Sequence, residues 1–415
     1  LDKEQRDKDK RKARKKKART KLDTSALAKG SNAAAASTAK QKRRASIPEH
    51  ARFAGWVKGH TAPVVDFALS PDGQFCAACC DDRTLRITRL SDCLARKPSA
   101  LYIASKTGRN SLSAICWVPA AAGPIVVGIE ESDKNVVFYR CVNSGDDKDK
   151  SQFKYKLKHL EKRTFKAENF PSTCNYIAIE QAAAKKDLCI VVGTLGKGDV
   201  LASSWNMSGA EMGSRIKPKK GEAGRAVAAM AAAQNCAFFA ASLGSADANV
   251  YPSESSGGFS RKPCMVLSGA HAKPITGLAF GGRASTAPHG DTDRALTCSL
   301  DGTFALWKID IQHKFNEDAV KLFQSDPVGR ALHCIAVSPN GKAVAVAGGA
   351  RGNTVWVYVL TNAGLHDCGE ISLLDTIEDA AEGLISKLVF SSDSRYVAAS
   401  CATSKIVFLW DVISK

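Results

Sequence analysis

Two histidine–aspartate pairs have the residue types needed for acid–base chemistry. His60 precedes Asp82, and His271 precedes Asp301, within two similar stretches of sequence. Such a pair supports catalysis when it activates a nearby nucleophile. Neither pair is accompanied by a serine or cysteine in a G-x-S-x-G context. We therefore predict that each pair ties an outer loop to a turn of its own sheet, and that the protein is not an enzyme.

Two further motifs suggest ligand chemistry and are better explained by structure. The run "FCAACC" at 75–80 contains three cysteines, but on a strand Cys76 and Cys80 point away from Cys79, and a zinc site needs four converging ligands. The run "GTLGKGD" at 193–199 lacks the spacing of a phosphate-binding loop. We predict a buried strand and a hairpin turn, with no metal, no cofactor and no small-molecule substrate.

The strongest chemical signal is a basic run near the start of the chain. Nine of the twelve residues from Lys10 to Lys21 are Lys or Arg, and no large apolar residue interrupts them. A helix that inserts into a membrane would show Leu, Phe or Trp on one face. The run therefore favours contact with RNA phosphates, although an anionic membrane surface also attracts it. The predicted contact residues are Lys10, Arg11, Lys12, Arg14, Lys15, Lys16, Lys17, Arg19 and Lys21.

A second basic stretch, "FKYKLKH" at 153–159, alternates lysines with apolar residues. As a strand it would place Lys154, Lys156 and Lys158 on one face, about 6.7 Å apart, which suits successive phosphates. The alternative is an outer strand whose lysines protect an exposed sheet edge from pairing. The loop "KPKK" at 217–220 has the same two interpretations.

Charge divides the chain into a basic segment and a nearly balanced body. Residues 1–46 hold 17 Lys/Arg and 5 Asp/Glu, whereas the remainder holds 42 and 36. The segment 23–47 is poor in large apolar and aromatic residues, which predicts a disordered linker. The 14 cysteines of this long chain indicate free thiols in a reducing compartment. No run of about 18 apolar residues is present to span a bilayer.

The body is built from repeated strand–turn units. The clearest units begin at Gly59, Gly269, Leu332 and Ile385, and fainter copies lie at 111–141, 174–206 and 226–253. Turns of the Ser-Pro-Asp/Asn-Gly type separate the strands because Pro presets φ and Gly accepts positive φ. Four-strand units at a fixed period are typical of a β-propeller. The sequence thus predicts an all-β, seven-bladed propeller.

These units resemble WD repeats. The resemblance rests on Gly59-His60, the near match Ala270-His271 and the pair Trp410-Asp411. It implies that the best unit, 269–310, contains the buried hydrogen-bonded tetrad of such blades. Its members would be His271, Asp301 and Trp307, with a hydroxyl group from Thr297 or Ser299. The first unit departs from the pattern because Thr88 stands where Trp is expected.

The last unit supplies only three strands before the chain ends. "ARFAGWV" at 51–57 alternates in polarity and precedes the first Gly-His pair, so we predict that it forms the missing outer strand. Pairing of the two ends would remove a free sheet edge. The predicted organisation is a basic, disordered segment at 1–50 followed by the propeller at 51–413.

A finer resemblance points to the transducin beta-like 2 family. It is carried by "CDDRTLRITRLSD" at 80–92, "SLDGTFALWKIDIQHK" at 299–314 and "CIAVSPNGKAVAVAGG" at 334–349. This resemblance implies a non-catalytic scaffold at the cytosolic face of the endoplasmic reticulum (ER), with a membrane anchor upstream of Leu1. Partners would be ribosomes or ribosomal RNA, proteins that contact the propeller face, and factors of translation or the stress response.

Two other functions remain open at the level of sequence. One is a soluble nuclear or nucleolar WD-repeat protein of RNA-associated assembly, because basic runs also serve as localisation signals. The other is an ER exchange factor for a small GTPase, although such propellers usually carry their anchor after the last blade. Residues upstream of Leu1 would distinguish the ER scaffold from the nuclear protein. A nucleotide-release assay would test the exchange factor.

Overall fold

Antiparallel strands account for most of the described chain in the computed structural model. The chain forms two compact units, 1–49 and His50–Lys415, and every described residue belongs to the second. The predicted contact residues of the basic run and Lys154 lie outside the described residues. The structure describes residues 50–96, 102–106, 111–118, 125–130, 135–143, 155–164, 170–180, 186–195, 202–206, 211–217, 227–233, 238–252, 259–281, 293–309, 319–328, 330–360 and 370–413.

The described strands form seven antiparallel four-stranded sheets, which we number in chain order. Six of them use four consecutive strands, and sheet 7 combines the first strand with the last three. Sheets 1 to 3 contain β2 (Val64–Leu69), β3 (Phe75–Cys80), β4 (Thr84–Arg89) and β5 (Tyr102–Lys106); β6 (Ala114–Val118), β7 (Ile125–Glu130), β8 (Asn135–Asn143) and β9 (Tyr155–Thr164); and β10 (Phe170–Glu180), β11 (Lys186–Leu195), β12 (Ala202–Asn206) and β13 (Glu211–Ile216).

Sheets 4 to 7 follow the same plan. They contain β14 (Ala229–Ala232), β15 (Phe238–Ser242), β16 (Ala248–Pro252) and β17 (Met265–Leu267); β18 (Ile275–Phe280), β19 (Asp293–Ser299), β20 (Phe304–Ile309) and β21 (Val320–Gln324); β22 (Leu332–Val337), β23 (Ala343–Gly348), β24 (Thr354–Leu360) and β25 (Ile371–Ile377); and β26 (Ile385–Phe390), β27 (Tyr396–Cys401) and β28 (Val407–Asp411) with β1 (Phe53–Val57).

The sheets are arranged around a ring. The first strand of each sheet contacts the first strand of the next, from β2 and β6 through to β22 and β26, and β26 then contacts β2. This arrangement is a β-propeller, and the predicted all-β class is confirmed. The same ring geometry explains the small residues of the middle strands, because these strands lie between neighbouring sheets. In β3 every residue of "FCAACC" is buried, and small side chains let the adjacent sheets pack closely.

The two ends of the described chain meet in sheet 7. β1 pairs antiparallel with β28, with Phe53 opposite Trp410 and Val57 opposite Val407. The prediction that 51–57 supplies the outer strand is therefore confirmed. A short helix, α1 (Leu90–Leu94), packs against β1, and a side chain at Gly55 would collide with the Cys93 carbonyl. Glycine at this position thus permits the close approach that holds the closing strand.

An ion pair reinforces the same junction from inside the ring. The Lys387 ammonium on β26 lies 2.7 Å from Oδ1 of Asp66 on β2, and Asp66 is buried. The other carboxylate oxygen, Oδ2, accepts a hydrogen bond from the Ile115 backbone N–H on β6 at 2.8 Å. One carboxylate therefore links sheets 7, 1 and 2.

The part of the chain that the structure describes contains no helix with the length and apolar character needed to span a bilayer.

Candidate functional site

The polar centre of sheet 5 is a chain of buried hydrogen bonds. Nε2 of His271 lies 2.7 Å from the Thr297 hydroxyl oxygen, and Nδ1 lies 2.9 Å from that of Thr303. The Trp307 indole N–H donates to the Thr297 hydroxyl oxygen at 2.9 Å. At the other end, the Thr303 hydroxyl group donates to Asp301 Oδ1 at 2.6 Å. The four contacts place His271 between the strand interior and the turn.

Hydrogen-bond direction and burial together set the protonation state of the His271 imidazole. Because Thr303 gives its hydroxyl hydrogen to Asp301, it accepts from Nδ1–H of His271. Burial lowers the pKa of His271, against the opposing charge of Asp301, and this favours the neutral ring. In the neutral ring Nε2 carries no hydrogen and accepts from Thr297, which in turn accepts from Trp307. Both ring nitrogens are already bonded, so His271 and Asp301 have a structural role and stabilise the turn.

The structure settles which residues form the network that the sequence predicted. Thr297 bridges His271 and Trp307, whereas Ser299 has a different role. The Ser299 hydroxyl group donates to the Lys273 carbonyl at 2.9 Å and accepts from the Asp301 N–H at 3.1 Å. Ser299 thus holds the entry loop and the turn.

Sequence reasoning missed Thr303. It is the link between His271 and Asp301, whose own closest atoms are 3.6 Å apart. The Asp301 carboxylate also accepts the Thr303 and Ala272 backbone N–H groups, both at 2.8 Å. These bonds lower the pKa of Asp301 despite its partial burial. A usable signal was present, because Asp82 is likewise followed two residues later by Thr84.

Sheet 1 keeps only the turn half of this network. Asp82 accepts hydrogen bonds from the backbone and hydroxyl groups of both Thr61 and Thr84. His60 is buried, yet neither of its ring nitrogens has a hydrogen-bond partner. Burial and the charge of Arg86 lower the pKa of His60 to about 4. Asp82 thus ties the loop at Thr61 to the turn at Thr84, but the predicted part of His60 is wrong, because its imidazole bonds neither to the carboxylate nor to any other partner.

Strand register explains why His60 is unpartnered. Val64 faces Cys80 in sheet 1 as Ile275 faces Ser299 in sheet 5, with the same register shift just after each pair. Ala78 then occupies the place of Thr297, and Thr88 that of Trp307. The hydroxyl group that would bond the imidazole is missing.

In sheet 7 it is the tryptophan indole, and not a histidine, that lacks a hydrogen-bond partner. Ile385 faces Cys401 in the same register, which puts Ala399 at the position of Thr297 and Trp410 at that of Trp307. The buried indole N–H of Trp410 has no hydrogen-bond partner. An alanine at one strand position thus accounts for the orphaned groups of both sheets.

We expect Ala78→Ser to stabilise the protein. The new hydroxyl group would lie where Thr297 binds His271, and a partner for a buried polar group contributes about 0.5–1.5 kcal/mol. Urea unfolding measures the change. The matched control is Ala77→Ser, because Ala77 is equally buried but faces the apolar cluster of Phe75 and Trp117. Stabilisation by both substitutions, or by Ala77→Ser alone, would contradict this explanation of His60.

The remaining predicted site residues are not brought into one cluster. Lys156 and Lys158 lie on β9, the outer strand of sheet 2, paired with Val142 and Arg140 of β8. A place on an outer strand fits both interpretations of the stretch. Cys76, Cys79 and Cys80 are buried free thiols, and burial raises the pKa of each. Among the described residues, no cluster of His, Cys, Asp and Glu has the arrangement of a metal site.

Comparison with known proteins agrees with this geometry. The family model "WD domain, G-beta repeat" matches residues 53–88 and 372–411. Each match begins with an outer strand and continues through three strands of the next sheet, the same stagger that closes the ring through β1. The fold is a β-propeller, and two of its segments match WD40 repeats. The chain is 23% identical over 341 residues to human transducin beta-like protein 2, covering 80% of this chain and 67% of that protein.

Proposed function

We propose that this protein is a non-catalytic interaction scaffold, in which the seven sheets serve as seven blades of a closed ring. The observation that carries the proposal is the network of sheet 5. Its histidine, carboxylate and hydroxyl groups bond to one another, so they stabilise a turn instead of facing a substrate. WD-repeat propellers typically present loops and edges to other proteins, and protein partners are expected here too.

A finer proposal concerns the basic segment. We propose that Lys10 to Lys21 contact ribosomal RNA, and that the scaffold works at the cytosolic face of the ER. The first part is supported by charge density, because RNA offers closely spaced phosphates and each neutralised phosphate releases counterions. The second is supported by the resemblance to the transducin beta-like 2 family and by the positive charge expected on cytosolic flanks of membrane anchors.

The proposal is tested by ribosome binding at several salt concentrations. The full chain should sediment with purified ribosomes and lose affinity steeply as salt rises. Combining Arg14→Ala, Lys15→Ala, Lys16→Ala and Lys17→Ala should flatten the dependence of log K on log salt by about 0.7 for each lost contact. The melting temperature should not change, because these residues precede the first strand of the ring.

Control variants separate the two basic stretches. Lys154→Ala, Lys156→Ala and Lys158→Ala, made together, should leave ribosome binding unchanged if those lysines only protect a sheet edge. Equal binding of the parent and the Arg14–Lys17 variant at low salt would overturn the RNA proposal. Tighter binding of the parent to anionic vesicles than to ribosomes would identify lipid as the target instead.

A further inference from the structure

The outer strand of sheet 6 presents an open edge with an unusual composition. β25 lies at the end of the order β22-β23-β24-β25, so within the described chain it has a strand neighbour only on the β24 side. Open edges of natural sheets are commonly protected by lysine, proline or covering segments. The sequence of β25, "ISLLDTI", contains neither lysine nor proline. Its backbone can therefore accept a further strand.

Two adjacent leucines make this edge apolar. Leu373 is 53% exposed and Leu374 is 40% exposed, and both belong to the small set of strongly exposed large hydrophobic residues in the described ranges. Leu374 is the extra residue of a β-bulge, because Leu373 faces Tyr358 while Asp375 faces Val357. A bulge takes a side chain out of simple alternation. The two leucines are adjacent, and contiguous exposed apolar side chains mark contact surfaces where singly scattered ones do not.

The charge around this edge is strongly negative. From Glu370 to Glu382 the chain carries five carboxylates and neither Lys nor Arg, although residues 47–415 as a whole hold 42 Lys/Arg and 36 Asp/Glu. Arg52 pairs with Asp375 and offsets one of these charges. Glu378 and Glu382 are exposed in the loop that follows β25, together with Leu384, which is 45% exposed. The negative charge thus continues from the strand into the loop.

The outer strand of the neighbouring sheet provides a comparison within the same molecule. β21, "VKLFQ", also carries an exposed aliphatic residue, Val320, which is 55% exposed. It is followed directly by Lys321, whose ammonium group donates to the Gln324 side chain at 2.7 Å. β21 therefore has the protective lysine that β25 lacks. Each edge carries a strongly exposed aliphatic residue, and the two edges differ in charge.

We propose that the β25 edge, formed by Ile371–Ile377 and the loop 378–384, binds an extended basic segment of a partner protein by strand addition. The partner backbone would pair with β25, its aliphatic side chains would cover Leu373 and Leu374, and its Lys or Arg side chains would face Glu378 and Glu382. Main-chain pairing gives affinity in this mode, and side-chain pockets and charge give specificity. The inference rests on the proposed scaffold role and identifies one surface for it.

A peptide of defined sequence tests this surface. The probe is a rhodamine-labelled, amidated peptide of four Lys-Val repeats, and fluorescence anisotropy with the full chain measures its binding. We expect saturable binding that weakens at least about tenfold when Leu373→Lys and Leu374→Lys are combined, because apolar contact is lost and like charge is added. Combining Glu378→Gln with Glu382→Gln should weaken binding about three- to tenfold at low salt, and less at high salt.

The controls address edge, charge and pairing separately. Val320→Lys changes an equally exposed aliphatic residue on β21 and should leave binding within about twofold of the parent. A Glu-Val peptide should bind at least about tenfold more weakly than the Lys-Val peptide. Two further Lys-Val peptides are N-methylated either at every Lys or at every Val. At least one of them should lose binding, because methylation removes the N–H donors on one strand edge.

Three results would overturn the proposal. They are unchanged binding by the Leu373/Leu374 variant, binding of the acidic peptide as tight as that of the Lys-Val peptide, and binding of both N-methylated peptides as tight as that of the unmethylated peptide. A fourth result would also overturn it: self-association that the Leu373/Leu374 variant abolishes, because a second copy would then occupy the edge. The Arg14–Lys17 variant should bind the peptide like the parent. If ribosome binding fails while peptide binding holds, only the RNA proposal is lost.

Discussion

Phe53→Ala is expected to destabilise the protein by about 3–5 kcal/mol, the usual cost of removing a buried aromatic side chain. Phe53 is buried on the closing strand β1, and its ring centre lies 5.4 Å from that of its register partner Trp410. It also lies 5.4 Å from the ring of Trp56. Loss of this side chain weakens the packing of β1 on β28 and exposes the open edge of β28. Urea unfolding measures the loss.

Hydrogen exchange shows whether the loss is local to the closure. In the Phe53→Ala variant, the amides of β28 should exchange faster than those of β19 and β20, because opening begins where the ring is joined. The control is Phe323→Ala on β21, an outer strand that does not close the ring; Phe323 is half-buried against Phe304. It should cost less and leave exchange in β28 unchanged. Equal effects of the two substitutions would show that closure by β1 is not a weak point.

The sequence predicted the architecture well because the repeat is encoded locally. Alternating strands mark the repeat, and Ser-Pro-Asp/Asn-Gly turns at 70–73 and 338–341 set the first hairpins of sheets 1 and 6, where the turn geometry follows from single residues. Gly73 has a φ of +70°, and the Ser70 hydroxyl oxygen accepts from the Phe75 N–H at 2.8 Å. The closing strand was predictable for a related reason: the repeat is staggered by one strand against the sheets, so the last sheet must take its outer strand from the start of the ring.

The site was only partly predictable, because its details depend on register between distant strands. Thr297 and Ser299 both lie on β19, and their sequence spacing alone does not tell which hydroxyl group points between His271 and Trp307. The unpartnered state of His60 likewise depends on Ala78 holding the register position that Thr297 has in sheet 5. The ion pair of Lys387 with Asp66 joins the first and the last sheet of the sequence, which are neighbours in the ring. No local pattern marks such a pair, since it exists only once sheets 7 and 1 meet.

Thr297→Val is expected to destabilise the protein more than any other conservative change in sheet 5. Thr297 is completely buried, and its hydroxyl group is the only bonded partner seen for both His271 Nε2 and the Trp307 indole N–H in the described part of the chain. Valine keeps the volume and removes the hydroxyl group. Each buried polar group left without a partner costs about 1–3 kcal/mol, and this substitution leaves two. Urea unfolding with unchanged m-values measures the difference.

Thr297→Ser is the matched variant, because it keeps the hydroxyl group and removes the methyl group. We expect it to cost only about 1 kcal/mol, close to the value of one buried methylene, since the chain from Trp307 through His271 to Asp301 is retained. The order of stability should therefore be parent, then Ser, then Val. If the serine variant is as unstable as the valine variant, methyl packing holds this strand in place. The hydrogen-bonded chain would then be a consequence of the fold, and the bonds of His271 would not stabilise sheet 5.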